Sequence, residues 1–261
     1  MRRALLAGNW KLNPASAGEA SELARAIKAS ASAHAEFVQV AIFPPFPWLL
    51  GVAETVLDSP IELGAQDCYW EPRGAFTGEV SAAMLQGWCR WVIVGHSERR
   101  RLFAETDQVV AKKAAAAIAA GLSTIICVGE SEQAFESGRC EEVVQAQVRG
   151  ALQELAADDS SRLLLAYEPL WAIGTGRSAD PEHAYRVMRL IRRTVGECIG
   201  EGAARRTRVL YGGSANADSV PSFVELPWCD GCLVGGASLD GAEFSKMIVA
   251  AATVYRGRPV A

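Results

Sequence analysis

Apolar residues in this chain form eight short runs, each ending near a glycine, a proline or a polar residue. Apolar runs of this length, bounded by such residues, are typical of buried strands. The runs span residues 5–8, 38–43, 61–65, 91–95, 124–128, 163–167, 208–211 and 232–235. The pattern therefore predicts eight strands.

The segments between these runs favour helices. Residues 17–33, 107–120, 141–155 and 238–254 combine good helix formers with apolar positions spaced by three and four. Thr106 is a predicted N-cap, and Pro181 is placed for the first turn of a further helix. Helices thus alternate with strands along the chain.

Eight alternations in this chain give roughly 32 residues per repeat, about the length of one strand with its crossover helix. No linker or change of composition divides the series, so we predict a single (β/α)8 barrel domain over residues 1–261. A doubly wound open sheet is the alternative. It would place a glycine-rich turn after the first strand, where residues 9–13 read Asn-Trp-Lys-Leu-Asn instead.

Residues suited to catalysis follow several of the predicted strands. Asn9 and Lys11 follow the first strand, His96 the fourth and Glu168 the sixth, and glycine pairs follow the seventh and the eighth. The carboxyl ends of the strands form the face where barrel enzymes build their active sites. We therefore expect these residues to converge.

Glu168 is the candidate general base. It lies between an apolar strand and the segment from Pro169 to Gly176, which is apolar at first and glycine-rich at its tip, as expected of a lid. We expect desolvation to raise the pKa of this carboxyl. A solvated loop glutamate is the alternative.

His96 is the candidate electrophile. It directly follows a buried run, and the helix expected from Ser97 and Glu98 would hold its imidazole neutral through the dipole. The alternative is a core histidine that is merely satisfied by hydrogen bonds. The other two histidines, His34 and His183, are expected at the surface.

Lys11 is the candidate cation. At a strand end it offers a compact charge for a substrate anion or a developing oxyanion. Asn9 could place an amide beside it or could simply cap the turn. The other lysines lie in predicted helices and are expected in solvent: Lys28, Lys112, Lys113 and Lys246.

The two glycine pairs, Gly212-Gly213 and Gly235-Gly236, allow close backbone approach and present N–H groups, as in the phosphate cradle of many barrels. A phosphorylated small molecule is therefore the expected substrate. The sequence contains no Walker motif, nucleotide fingerprint or metal-ligand cluster, so we expect neither a cofactor nor a metal.

Composition excludes several other classes of function. The net charge of −4 argues against a nucleic-acid partner, and no apolar run approaches the roughly 18 residues of a membrane span. The seven cysteines are odd in number and scattered, and Cys229 and Cys232 lack the helix or second pair of a redox or zinc site. Because polar residues soon interrupt the apolar N-terminus, we expect no signal peptide and a cytoplasmic location.

In this order, these residues resemble the triosephosphate isomerase family over essentially the whole chain. The matching segments are residues 7–11 (AGNWK), 74–79 (GAFTGE), 94–100 (VGHSERR), 166–176 (AYEPLWAIGTG), 211–214 (YGGS) and 233–239 (LVGGASL).

The resemblance implies a cofactor-free interconversion of dihydroxyacetone phosphate and D-glyceraldehyde 3-phosphate through an enediolate, in glycolysis and gluconeogenesis. Glu168 would move the proton, while Asn9, Lys11 and His96 would stabilise the enediolate. The resemblance also supplies the phosphate-binding and lid residues. The phosphate would bind Gly174, Ser214, Gly235 and Gly236, and the lid to Ala179 would include Pro169, Leu170, Trp171, Ala172, Ile173, Thr175 and Gly176, latched by Tyr211 and Ser214.

The resemblance further implies a homodimer. The connection over residues 67–79 carries apolar aromatic residues, among them Phe76, that are unlike a solvated loop. In the family this loop enters the neighbouring subunit, which would place Thr77 near the partner's Asn9 and Lys11. The alternative is that the loop folds back on its own barrel.

Three positions depart from the family pattern. Asp67 stands where asparagine is expected and adds a negative charge near the docking loop. Phe135 replaces an arginine, which removes an ion pair, and Arg177-Ser178-Ala179 differs from the usual lid hinge. Two other functions stay open: isomerisation of a related four-carbon ketose phosphate, and a barrel that only binds.

Overall fold

The computed structural model describes residues 2–173 and 179–258. Eight parallel strands close into a barrel in which each strand pairs with the next along the chain and the eighth pairs with the first. The predicted (β/α)8 barrel is confirmed, and the doubly wound sheet is wrong. The strands are β1 Ala4–Asn9, β2 Val38–Phe43, β3 Glu62–Ala65, β4 Trp91–Val94, β5 Ser123–Val128, β6 Leu163–Tyr167, β7 Arg208–Tyr211 and β8 Gly231–Val234.

Helices lie between the strands, on the outside of the barrel. The α-helices are α1 Ala17–Ala33, α2 Leu49–Val56, α3 Ala82–Leu85, α4 Ser97–Leu102, α5 Asp107–Ala119, α6 Glu132–Glu136, α7 Cys140–Ala151, α8 Pro181–Ile199, α9 Glu201–Arg206, α10 Val220–Val224 and α11 Gly241–Arg256. Short 3₁₀ turns cover Phe46–Trp48, Ala157–Ser161, Leu170–Ala172 and Gly236–Leu239. No helix in the described part of the chain is long and apolar enough to cross a membrane.

Alternation along each strand separates two apolar layers. Side chains such as Leu5 and Ala7 point into the barrel, whereas Leu6 and its equivalents pack against the surrounding helices. The barrel interior is filled by large side chains, and β3 accommodates one of them with a glycine. A Cβ at Gly64 would come within 2.1 Å of the Phe43 ring, so a larger residue there would overpack the barrel.

The helix boundaries follow local signals. The Thr106 hydroxyl accepts a hydrogen bond from the Val109 N–H and caps α5, as predicted. Pro181 begins α8, also as predicted. The predicted last helix, residues 238–254, is instead a 3₁₀ turn followed by α11. Asp240 separates the two and caps α11 through the N–H groups of Ala242 and Glu243.

Candidate active site

A pocket of about 460 Å³ opens at the carboxyl ends of the strands. The sequence-predicted catalytic residues Asn9, Lys11, His96 and Glu168 all line it, together with Ser214, Gly235 and Gly236. Residues from five different strand ends thus meet in one cavity, as expected for this face of a barrel. The predicted Gly174, Thr175 and Gly176 lie outside the described residues.

Glu168 is held at the barrel mouth by both its backbone and its side chain. Its N–H donates to the carbonyl of Val128 on the neighbouring strand at 2.8 Å. Its carboxylate is 2% exposed. One oxygen lies 3.0 Å from His96 Nε2, and the other accepts from the Ser97 N–H at 2.9 Å. The carboxylate is buried but fully hydrogen-bonded.

The expected raised pKa of Glu168 is wrong for this arrangement. Burial raises the pKa of this carboxyl, but His96 and the Ser97 N–H lower it by more, so the pKa lies below its ordinary value. Desolvation alone was visible in the sequence, whereas the partners became visible only in three dimensions. Glu168 is therefore ionised at neutral pH and ready to accept a proton.

His96 is oriented by the start of α4. Its Nδ1 accepts a hydrogen bond from the Glu98 N–H at 3.2 Å, so in the neutral ring Nε2 carries the proton and donates to Glu168. Burial lowers the pKa of His96, but the Glu168 carboxylate raises it above 6.5. The sequence predicted a neutral imidazole, but in this arrangement the Glu168 carboxylate favours the protonated form of His96.

Lys11 occupies a strained backbone position. Its φ of 53° lies in the left-handed region, which a lysine adopts only when its surroundings stabilise it. The Asn9 side chain accepts from the Lys11 N–H at 3.0 Å, and Gln66 Nε2 donates to the Lys11 carbonyl at 2.7 Å. The Lys11 ammonium then reaches Glu98 at 2.7 Å, at the edge of the pocket.

Two residues of this arrangement were missed as functional residues. Gln66 holds the turn that aims Lys11, and Glu98 neutralises the Lys11 charge. Both follow predicted strands, so their position was a usable signal. The directions of their side chains could not be predicted from the sequence, because those directions depend on the closure of the barrel.

The two glycine pairs serve different purposes. A Cβ at Gly212 would lie 2.9 Å from the Glu168 side chain, and one at Gly213 would lie 2.3 Å from the Tyr211 hydroxyl. This pair leaves room for the base and for Tyr211. At the second pair, a Cβ on Gly236 would meet nothing within 4 Å. The space beside Gly236 is therefore open, and both glycines of this pair line the pocket.

Both ends of the predicted lid contact the barrel. Ser214 Oγ donates to the Ala172 carbonyl at 2.5 Å, and the Ala179 N–H donates to the Tyr211 hydroxyl at 3.0 Å. These two residues are the latch residues that the resemblance implied. The contacts connect β7 and the loop after it to the lid segment.

Tyr211→Phe should lower kcat/KM by about two- to tenfold. The Tyr211 ring stacks on Phe223 at 3.7 Å and phenylalanine would keep that contact, so only the bond to Ala179 is lost. A hydrogen bond of this kind is worth about 0.5–1.5 kcal/mol. Steady-state kinetics would measure the change, and an unaltered kcat/KM would contradict a latch role.

Of two residues expected at the surface, Lys113 is buried and His183 is partly buried. His183 contacts Tyr167 and the rings of Phe135 and Trp171. Lys113 is 3% exposed and forms ion pairs with Asp67 and Glu105. Solvent exposure was predicted for both residues because each lies in a predicted helix. The segments that cover them lie elsewhere in the sequence and could not be inferred from that position.

Cys229 and Cys232 are buried free thiols, in agreement with a structural role. Cys229 Sγ donates to the Gly231 carbonyl at 3.1 Å. The interaction with Cys229 and, after it, burial raise the pKa of Cys232, which keeps this thiol protonated and unreactive.

A buried carboxylate, an imidazole and a lysine at the mouth of a closed parallel barrel define a barrel enzyme that acts on a small anionic substrate. The model of the family described as triosephosphate isomerase matches residues 4–251. The chain therefore belongs to the triosephosphate isomerase family.

Relatives of this name are similar over nearly their whole length. The protein of Chloroflexus aurantiacus is 46% identical over 249 residues, which cover 95% of this chain and 99% of the relative. That of Rhodopirellula baltica is 45% identical over 251 residues, covering 96% and 98%. That of Caldanaerobacter subterraneus is 41% identical over 249 residues, covering 95% and 99%.

Proposed function

We propose that this chain, as a single catalytic domain, interconverts dihydroxyacetone phosphate and D-glyceraldehyde 3-phosphate through an enediolate, without a cofactor. The observation that carries this proposal is the convergence of Glu168, His96 and Lys11 with Ser214 and the second glycine pair in one pocket. The reaction serves glycolysis and gluconeogenesis.

Glu168 is the base that carries the proton between the two carbons of the substrate. Its lowered pKa keeps the carboxylate ionised. The hydrogen bonds to Ser97 and His96 must break before the carboxylate can act as a base. A substrate that enters the pocket displaces the carboxylate from these partners. The carboxylate then faces the substrate in a water-poor cavity, where it is a stronger base.

His96, Lys11 and Asn9 stabilise the negative oxygen of the enediolate. Once Glu168 leaves, the cause of the raised pKa of His96 is removed, while the Glu98 N–H still occupies Nδ1. The ring is then neutral and donates through Nε2. Lys11 contributes its ammonium, and the substrate oxygen competes for this charge with Glu98, which lies 2.7 Å away.

The phosphate binds between Ser214 and Gly235-Gly236, with Gly174 of the lid completing the cradle. Lys11 passes beside Gly235, where a Cβ would lie 3.3 Å from its side chain. One cation thus serves both the phosphate and the reacting oxygen. The lid over residues 169–179 keeps water from the enediolate.

A coupled assay tests the proposal directly. The purified chain should convert both triose phosphates, and a stable enediolate analogue that carries a phosphate should inhibit it competitively. Parallel rates with a four-carbon ketose phosphate define the substrate. A faster rate with the longer substrate, or no rate with either, would overturn the proposal.

We also propose a homodimer, held by the loop that carries Phe76 and Thr77. Residues 71–79 are all exposed, and Phe76 is 41% exposed although it contacts Tyr69 at 4.7 Å. Sedimentation should give twice the chain mass, and Phe76→Asp should shift the equilibrium towards monomer. The free thiols further support a cytoplasmic location.

A further inference from the structure

A cluster of aromatic and polar side chains lies beneath the first turn of the lid. Trp171 belongs to the lid, and its indole N–H donates to Glu130 Oε1 at 2.7 Å. The Phe135 ring stacks on the indole with centroids 4.4 Å apart. The ring of His183 meets the same indole edge-on at 5.9 Å. Trp171 is thus enclosed by three side chains that do not belong to the lid.

The polar groups of this cluster form a directed chain of hydrogen bonds. The Tyr167 hydroxyl donates to Glu130 Oε1 at 2.9 Å, so its oxygen accepts from His183 Nε2 at 3.0 Å. Arg186 approaches His183 Nδ1 at 3.4 Å and sets that tautomer. These bonds fix the Glu130 carboxylate in the position that Trp171 needs.

Phe135 and His183 also touch each other, edge to face at 5.2 Å. Phe135 lies on α6, which follows β5, and His183 lies in the first turn of α8, directly after the end of the lid. The contact therefore joins α6, whose Phe135 stacks on the first turn of the lid, to the helix that follows the end of the lid.

We propose that Phe135 and His183 are positioning residues that hold Trp171 and thereby set how much of the time the lid covers the pocket. This inference depends on the isomerase function proposed above. Neither side chain lines the pocket, so neither touches the substrate. Their effect reaches the reaction through the lid, whose ends contact Ser214 and Tyr211 in the same arrangement.

The chemical consequence of an uncovered enediolate is loss of phosphate. The electron pair of the enediolate oxygen re-forms the carbonyl, the carbon–carbon double bond moves to the adjacent position and the C–O bond to phosphate breaks. Inorganic phosphate leaves, and the remaining enol becomes methylglyoxal by proton transfer. The ratio of phosphate released to isomer formed therefore reports how completely the lid covers the intermediate.

Phe135→Ala should raise this ratio about two- to tenfold, the factor that one aromatic contact contributes to an equilibrium. His183→Ala should raise it by a similar factor, and Phe135→Tyr, which keeps the ring, should restore the wild-type ratio. KM should rise with the ratio while kcat changes less. The assay measures inorganic phosphate and isomer from the same reaction, with EDTA present because Glu130, Cys140 and His183 could hold a metal ion.

Matched controls separate positioning from general destabilisation. Phe37 is also half-buried and packs against Arg256, at the start of β2 and at the opposite end of the barrel. His34 lies nearby at the end of α1. Phe37→Ala and His34→Ala should lower the melting temperature without changing the phosphate ratio.

The inference is overturned if the wild-type chain isomerises but Phe135→Ala and His183→Ala release no more phosphate than the two controls. If Phe135→Ala does not fold, Phe135→Leu removes the ring while keeping the volume, and it carries the same expectation. Absence of isomerisation by the wild-type chain would instead contradict the proposed function.

Discussion

Glu168→Gln should lower kcat by about 10²- to 10⁴-fold, the contribution expected of a positioned general base. Glutamine has nearly the same shape, but its amide cannot accept a proton from the substrate carbon. KM should change little, because Ser214, Lys11 and the second glycine pair, which are proposed to bind the phosphate, are untouched. The coupled assay with both triose phosphates would measure the loss.

The stability of the same variant gives an independent check through pH. The folded-state pKa of Glu168 is lowered, so its ionised form stabilises the fold above the ordinary pKa of 4.5. That contribution is lost as the pH falls through the folded-state value. The difference in unfolding free energy between wild type and Glu168→Gln should therefore narrow below pH 4.5. Retention of most of the activity would contradict the role of Glu168 as the base. A difference in unfolding free energy that does not depend on pH would contradict the lowered pKa of its carboxyl.

The barrel could be predicted from the sequence because each strand is a continuous apolar run. Strands that are buried on both faces appear in the sequence as such runs, and β2, β6 and β7 begin and end where predicted. The helix expected from Ser97 and Glu98 is present as α4, whereas the short helices α2, α3, α6, α9 and α10 were missed. They are stabilised by packing on the barrel and not by a pattern of their own.

The positions of the candidate catalytic residues could be predicted from the sequence, but their charge states could not. Position after a strand is a local property, and it placed Asn9, Lys11, His96 and Glu168 correctly in one pocket. The direction of the pKa shift of Glu168 depends on His96 and Ser97, which come from another strand end. Burial was the only influence on the pKa that the sequence showed, and here the charge of His96 and the hydrogen bonds to His96 and Ser97 together outweigh burial.

The partners of Asp67 could not be predicted from the sequence either, and at this carboxylate burial outweighs their effect on the pKa. The sequence suggested an added negative charge near the docking loop. In the structure the carboxylate is buried and paired with Lys113 at 2.8 Å and with Arg99 at 2.9 Å. Burial nevertheless raises the pKa of Asp67, since desolvation outweighs the attraction of both cations. The charge is therefore compensated within the chain instead of being offered to a partner.

Lys113→Met should destabilise the fold by about 3–5 kcal/mol, the cost of removing one partner from a buried ion pair. Lys113 lies between Asp67 and Glu105, and both carboxylates are less than 10% exposed. Without the ammonium, two buried negative charges face each other, and among residues 2–173 and 179–258 Arg99 is the one remaining cation paired with them. Calorimetry should record a fall in melting temperature of about 10 °C for a chain of this size.

Lys112→Met is the matched control, because Lys112 is the exposed neighbour on α5 and contacts only the face of Trp70 at 5.5 Å among the described residues. Its loss should cost less than about 1 kcal/mol. Adding Asp67→Asn to Lys113→Met should recover part of the stability, since one of the two unpaired charges is then removed. The loss in Lys113→Met should also shrink at acidic pH, where the carboxylates take up protons. Equal losses for the two lysine variants would show that the buried cluster does not hold this side of the barrel together.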